Sequence, residues 1–435
     1  MSDRVFRIAF STLGCKLNFA ETSSFQEHLP EGFEIVPFST PADIYVINTC
    51  TVTEQADKKG RNMISKAYRT NSSARIVVTG CQSQMAAGKL IQLPGVALVL
   101  GNEEKFYLME YLERLISSGT AEGINVGERS GISAFYPAVS YSGRTRCFVK
   151  IQDGCDHFCA YCIVPYARGK SRSASVADVL EMVKKAESRG VKEIVLTGVN
   201  IGDFGKGTGE SLAGLLRRLL SETSVPRIRL GSVEPELLSC EIIRLVAEEI
   251  RLMPHFHIPL QSGCDRTLKA MKRKYGRELV SDLIHEIKNV VPGAFIGADI
   301  IAGFPGESND DFNETLSFIS SLELSALHVF PYSVRPGTEA AESESQVPHA
   351  VKEERKKKLI ELSEKIKDTF FVQNTGLCRP VLVERMIAGE RAQGFTDNYI
   401  PVVMEAGDSR IRNTIVKVRL TGNAGDGKMK GEIAE

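Results

Sequence analysis

Short apolar runs alternate with amphipathic stretches through most of this chain, and the alternation changes character twice. In the first ~120 residues, strand-like runs at 5–10, 44–48 and 75–79 are separated by stretches at 20–29 and 57–68 whose apolar positions recur at helical spacing. That order predicts a parallel sheet with helices on its faces. Residues 117–144 are rich in Gly, Ser and Ala and read as a linker. Beyond it a strand-then-helix unit repeats. Strands are predicted at 147–151, 193–197, 227–232, 255–260, 295–301 and 325–331, and helices at 176–188, 211–220, 237–251 and 311–321. Six such units predict an incomplete relative of the eightfold (β/α) barrel, whose functional groups gather where strands end and loops begin. A polar segment at 336–349 then leads into a helix on which Leu359, Leu362, Ile366 and Phe370 keep one face. The Lys/Arg run at 355–358 reads as the solvated side of that helix. The last ~60 residues hold short β-rich runs at 380–383, 399–404 and 415–420, which fit a small β-barrel of the oligonucleotide-binding size class. The fold class is therefore α/β, with expected units at 1–120, 121–144 (linker), 145–335, 336–374 (linker and connector helix) and 375–435.

Composition narrows the function classes. Lysine plus arginine equals aspartate plus glutamate at 54 each, so any nucleic-acid contact must come from a local patch. The first residues contain too short an apolar stretch for a signal peptide, and no run approaches the ~18 apolar residues of a membrane span. The chain is expected to be cytoplasmic, with no membrane partner. Ten cysteines in such a protein argue for metal or redox chemistry over disulfides.

Six of the ten cysteines form two sets. Cys155, Cys159 and Cys162 lie in the run GCDHFCAYC, just after the first strand of the central unit. This C-x3-C-x2-C spacing brings three thiolates to one point and supplies no fourth, whereas iron–sulfur cubanes normally take four. One iron then stays open for a substrate or cofactor. Zinc also suits three cysteines plus a histidine or water, and His157 lies inside the loop, but zinc sites usually space their ligands as two separated pairs. The second set is Cys15 in LGCKLN, Cys50 in INTC and Cys81 in VTGC, each following a predicted strand of the first domain. Parallel strands point the same way, so these three should meet at one sheet edge, the usual ligand crevice of open α/β sheets. Cys147 and Cys240 read as structural, and Cys264 and Cys378 fall in no motif.

GCKLN, NTCTVT, VTGC and CDHFCAYCIVPYARG, in this order, resemble the radical S-adenosylmethionine (SAM) methylthiotransferases over nearly the whole chain. The resemblance implies an N-terminal domain holding an auxiliary 4Fe–4S cluster on Cys15, Cys50 and Cys81. It also implies a central radical SAM partial barrel with a 4Fe–4S cluster on Cys155, Cys159 and Cys162, and a C-terminal RNA-binding barrel of the TRAM type. Family substrates are threonylcarbamoyladenosine in tRNA, isopentenyladenosine in tRNA, or an aspartate of a small-subunit ribosomal protein. GCKLNFAET with NTCTVTEQA looks like the first branch. The isopentenyladenosine branch more typically carries GCQMN and the ribosomal branch GCPKN. The implied reaction is methylthio insertion at carbon 2 of the modified adenosine at position 37, beside the anticodon. It needs SAM and an electron donor such as flavodoxin or ferredoxin, and no DNA. A non-enzyme alternative is a zinc-stabilised RNA-binding protein.

The resemblance also carries roles for rim residues. Tyr161 matches an aromatic near the SAM adenine. Thr197 and Gly198 stand where related enzymes present backbone groups to the SAM amine, although this chain has TGVN in place of Gly-Gly-Glu. Glu234 and Gln261 follow later strands and are candidates for ribose or substrate contact, as is Asp299 in GADIIAGFPGE. Arg144, Arg146, Arg168, Lys170 and Arg172 form an expected phosphate-binding patch, and Phe395 and Tyr399 are candidates for stacking on unpaired bases.

Overall fold

The computed structural model describes residues 5–117, 123–128, 131–141, 145–387, 390–407 and 409–434. Its first part runs β1 (Phe6–Thr12), α1 (Lys16–Glu27), β2 (Phe33–Ile35), β3 (Ile44–Thr49), α2 (Glu54–Thr70), β4 (Arg75–Gly80), α3 (Cys81–Leu90), β5 (Val96–Leu100), α4 (Leu108–Ser117) and β6 (Gly123–Asn125). The six strands make one parallel sheet in the order β2–β1–β3–β4–β5–β6. Every residue of β3 is buried, as expected for a strand covered on both faces. Thr12, Asn48 and Thr79 share one row of this sheet. The chain therefore leaves β1, β3 and β4 at the same level.

The expected strands and helices of this domain are present, and the Gly/Ser/Ala-rich segment proves partly ordered. Residues 123–125 extend the first sheet, and β7 (Ala138–Val139) pairs antiparallel with β8 (Arg146–Lys150). Two- and three-residue strands leave too little pattern for periodicity to register.

The central unit continues through β9 (Gln152–Asp153), α5 (Val164–Arg168), β10 (Arg172–Ser173), α6 (Val176–Ser188), β11 (Glu193–Thr197), α7 (Leu212–Glu222), β12 (Arg227–Leu230) and α8 (Cys240–Glu248). It ends with β13 (His255–Gln261), α9 (Asp265–Ala270), α10 (Arg277–Val290), β14 (Phe295–Ala302), α11 (Asn309–Ser321) and β15 (Ala326–Pro331). Strands β8, β11 and β12 pair in parallel, as do β13, β14 and β15, and parallel bridges at Ile228–Leu252 and Ser232–His257 join the two groups. All six expected strands are thus staves of one partial barrel. Helix α10 was not among the expected helices, although Val280, Leu283, Ile284 and Ile287 give it a buried face at helical spacing.

The connector α12 (His349–Asn374) leads to a closed five-stranded barrel of β16 (Cys378–Ile387), β17 (Arg391–Thr396), β18 (Pro401–Glu405), β19 (Ile415–Gly425) and β20 (Lys428–Ile433). Its interior is filled by Val381, Val383, Val402, Met404, Val418, Leu420 and Met429. One expectation for α12 fails. Arg355 is buried, pairs with Glu307 at 2.7 Å and lies over the Phe312 ring, because residue 355 shares a helix face with buried Leu359. Lys356, Lys357 and Lys358 pair only along their own helix, as surface residues do.

Polar contacts fix both outer domains to the central one. Glu21 of α1 is fully buried and contacts Lys105 (2.7 Å), Lys150 (3.1 Å) and Arg168 (3.2 Å), while Asp153 takes Lys150 (2.7 Å) and Arg168 (2.8 Å). At the opposite end of the staves, Arg227 donates to the carbonyls of Phe395 and Pro380, Arg229 to that of Asp397, and Arg146 pairs with Glu384. The small barrel is thereby seated on the N-terminal ends of the strands. No helix among the described residues is long and apolar enough to cross a membrane.

Candidate active site

Cys15, Cys50 and Cys81 emerge from the level ends of β1, β3 and β4, so the expected convergence is present. Cys15 caps the start of α1 and Cys81 opens α3. Two glycines explain how the loops come so close. Gly14 and Gly80, each preceding a cysteine, both have φ of +96°. A Cβ on Gly14 would sit 2.5 Å from Cβ and 2.8 Å from Sγ of Cys50, and one on Gly80 would sit 2.3 Å from the Thr49 carbonyl oxygen. The cysteines marked the site in the sequence; these glycines are a further signal for it, since each stands directly before a site cysteine. Gly14→Ala is expected to cost about 1–3 kcal/mol and to displace Cys50. Anaerobic iron analysis should then find about half of the wild-type iron.

The second triplet lies in the loop after β9. Cys159 is buried, and the Cys155 and Cys162 thiols are partly enclosed. Burial raises Cys155 to about 11 and Cys162 to about 12, and the neighbouring thiols of the triplet add to both shifts. Burial likewise raises Cys50 to about 12, with Cys81 and Cys15 adding to it. Cys50, Cys155 and Cys162 are therefore thiols that need a cationic centre before they ionise. Among the described residues, the triads whose donor atoms all lie within 4.8 Å of one another include neither cysteine set. A zinc ion at ~2.3 Å from each sulfur draws its sulfurs to about 3.8 Å, whereas a cubane binds each thiolate to a different iron. The donor sets fit clusters better than zinc.

Arg273, which no motif marked, connects the triplet to the barrel wall. Its guanidinium donates to Cys159 Sγ at 3.1 Å and to the Tyr161 hydroxyl at 3.4 Å, and it is ion-paired with Glu234. Burial lifts the Glu234 carboxyl to about 7 against the pull of Arg273. Tyr161 packs edge-on against Phe304, and burial holds its hydroxyl well above the ordinary tyrosine range. Thr197 is buried, and its carbonyl accepts from Ile151 N–H. A Cβ on Gly198 would fall 2.8 Å from Oε1 of Gln152, the same oxygen that takes the Asn200 N–H, so this glycine allows a close packing contact. Gln261 sits in the left-handed region at φ +67° beside a bulge in β13. Asp299 accepts from His257 at 2.9 Å and His328 at 3.3 Å; these bonds bring its carboxyl to about 2 although burial alone would raise it.

A cavity of about 250 Å³ is lined by neighbours in sequence of Cys50 and of Cys162. Val52 and Thr53, just past Cys50, wall it from one side; Tyr161, Gln261, Asp299 and Ile301 wall it from the barrel. Ser333 Oγ accepts from Glu54 N–H, and Arg335 contacts the Thr51 carbonyl and Asp57, so the loop after Cys50 is bound to the end of β15.

Two expectations about RNA contact are corrected. Arg168 is 2% exposed and committed to Glu21, Asp153 and Asn18, and Arg172 is bound to Asp153. Neither faces phosphate; of the expected patch Lys170 alone is exposed, and Arg144 lies outside the described residues. Phe395 and Tyr399 stack on each other at 5.0 Å and on Arg146, within the seam between the small barrel and the central unit. The patch reads as surface charge because sequence proximity cannot reveal the carboxylates that other domains bring to it. Of the remaining cysteines, Cys147 is buried within its strand as expected. Cys240 is exposed at a helix start.

Comparison with known proteins agrees with this geometry. Residues 149–319 match the radical SAM superfamily, and residues 7–101 match the uncharacterized protein family UPF0004. The threonylcarbamoyladenosine tRNA methylthiotransferase MtaB of Bacillus subtilis (strain 168) is 37% identical over 95% of this chain and 93% of its own length. The chain belongs to the radical SAM methylthiotransferase family. MtaB of Aquifex aeolicus (strain VF5) is 38% identical over 92% of this chain and 97% of its own length. The tRNA-2-methylthio-N(6)-dimethylallyladenosine synthase of Clostridium perfringens (strain SM101 / Type A) is 32% identical over all of this chain and 99% of its own. Among solved structures, the radical SAM methyltransferase TsrM from Kitasatospora setae, with cobalamin and a [4Fe-4S] cluster bound, aligns at a TM-score of 0.57. It is 16% identical and covers 78% of this chain and 77% of its own, a likeness of fold. As a member of the radical SAM methylthiotransferases the protein is an enzyme, with SAM and 4Fe–4S clusters as cofactors.

Proposed function

We propose that the protein inserts a methylthio group at carbon 2 of threonylcarbamoyladenosine at position 37 of tRNA. The observation that carries this reading is the cavity lined on one side by Val52 and Thr53, just past Cys50, and on the other by Tyr161, directly before Cys162. In this reading Cys155, Cys159 and Cys162 would hold one cluster, and Cys15, Cys50 and Cys81 the other. When bound, the first supplies an electron to SAM for hydrogen removal and the second supplies the sulfur. The chain's own residues do the positioning. Arg273 places a fixed positive charge against Cys159 and anchors Glu234, while Tyr161 closes the wall beside the cysteine loop. Burial pushes the Cys15 thiol up, and the charge of Arg168, held in the buried network with Glu21 and Asp153, works against that. Holding two reactants across one small cavity is the proximity term of a two-reactant step. Thr197, Gly198, Gln261 and Asp299 remain candidates for SAM or substrate contact at the rim. A flavodoxin or ferredoxin fits the need for a one-electron donor, and a tRNA substrate supports a cytoplasmic enzyme.

The test is anaerobic. Reconstituted protein receives SAM, reductant and tRNA carrying either threonylcarbamoyladenosine or isopentenyladenosine, and the digested nucleosides are weighed. A methylthio mass gain on threonylcarbamoyladenosine is expected. A gain on isopentenyladenosine alone would move the chain to the other tRNA branch. Modification of a ribosomal-protein aspartate alone would remove it from both.

A further inference from the structure

Three side chains of the barrel wall converge, and the proposed chemistry gives no role to two of them, His257 and His328. His257 on β13, Asp299 on β14 and His328 on β15 project from neighbouring strands onto the same face. Nε2 of His257 lies 2.9 Å from Oδ1 of Asp299 and 3.1 Å from Nδ1 of His328, and that Nδ1 lies 3.3 Å from the same oxygen. We infer that these residues form a binding site for one divalent transition-metal cation of the zinc or iron(II) kind, on the wall of the cavity.

Ligand chemistry and spacing both support this. Two imidazoles and one carboxylate on one side of an ion are a recurrent transition-metal set that leaves the opposite positions open. Ligands about 2.1 Å from a metal stand about 3.0 Å apart along an octahedral edge and about 3.4 Å apart along a tetrahedral one; two of the observed separations, 3.1 and 3.3 Å, fall between these and the third, 2.9 Å, lies just below them. A hydrogen-bonded triad needs only neighbouring pairs in contact, whereas here all three donor atoms approach one point. Access is available: the His328 side chain is 53% exposed and those of His257 and Asp299 are about a fifth exposed. Asp299 also lines the cavity, as does Phe330 two residues beyond His328 on the same strand. An ion here has its open positions available to water or to an oxygen of whatever fills the cavity. The inference rests on strand geometry and is independent of the substrate assigned above.

The test uses the full chain with both clusters assembled, so that its cluster cysteines are engaged. The protein is incubated with zinc alone, desalted and assayed for zinc and iron, and X-ray absorption is recorded at the zinc edge. One zinc per chain is expected, surrounded by nitrogen and oxygen at about 2.0–2.1 Å with no sulfur shell near 2.3 Å. His257→Gln with His328→Gln should weaken zinc binding at least tenfold with iron content unchanged. Should that double variant fail to hold its iron, Asp299→Asn is measured in its place and must show the same loss. Wild-type protein that retains no zinc, a sulfur shell, or undiminished binding in the variants would each overturn the assignment.

Discussion

Alanine at Cys155 is expected to abolish both SAM cleavage and methylthio product, whereas alanine at Cys50 should abolish the product and leave SAM cleavage running. The two triplets sit on different domains, and each has three thiols, so one loss leaves two ligands at one site and leaves the other site whole. Cys155 belongs to the loop that Arg273 joins to Glu234, and Cys50 to the sheet edge shaped by Gly14 and Gly80. Each variant should hold about half of the iron. Product should fall to background in both, at least a thousandfold, or about 4 kcal/mol in barrier. The measurement pairs deoxyadenosine release with nucleoside mass under anaerobic conditions. Deoxyadenosine released at the wild-type rate by Cys155→Ala would show that the two sites have been assigned in reverse or wrongly.

Glu21→Ala is expected to destabilise the protein by about 3–5 kcal/mol, because it leaves buried charges without their partner. Glu21 is fully buried and its carboxyl is held well below the usual range. Burial opposes ionisation, but Arg168, Lys105 and Lys150 overcome it. Truncating it leaves three buried cations facing Asp153 alone. Two of those cations belong to the barrel and one to the first domain, so the variant should also loosen the join between domains. Anaerobic thermal unfolding checks the magnitude. A change below about 1 kcal/mol, the range of exposed pairs, would mean that the network contributes little. The linkage has a defined sign. A carboxyl depressed in the folded state stabilises above its unfolded pKa, and that stability is lost as pH falls below ~4.5 toward its folded value.

Much of this architecture was legible because its signals are local. Strands β3, β4 and β11 carry continuous apolar runs, and α6 and α11 begin at serine caps with an aspartate three residues on. The cysteines were legible for a different reason, since parallel strands turn three distant positions into one edge. What the sequence concealed is what depends on partners from elsewhere in the chain. Arg168 and Arg355 look like surface charge until Glu21 and Glu307 are brought to them. Phe395 and Tyr399 look like base-stacking residues until Arg146 is set against them. Arg273 carries no local mark, because its importance comes from Cys159 lying 114 positions away. The triad of His257, Asp299 and His328 was equally hidden: the register between three strands assembles it.

The small barrel is seated on the N-terminal ends of the strands, while the cavity opens at their C-terminal ends. Strand β13 runs from His255, packed against Tyr399, to Gln261 in the cavity wall, six steps of about 3.3 Å, or roughly 20 Å. A substrate that touches both ends must be at least that long and stiff enough to keep its own contact points apart. A free nucleoside meets neither condition, but a folded stem-loop does. For such a substrate the staves would be the beam of a caliper, setting the distance between its two points of contact.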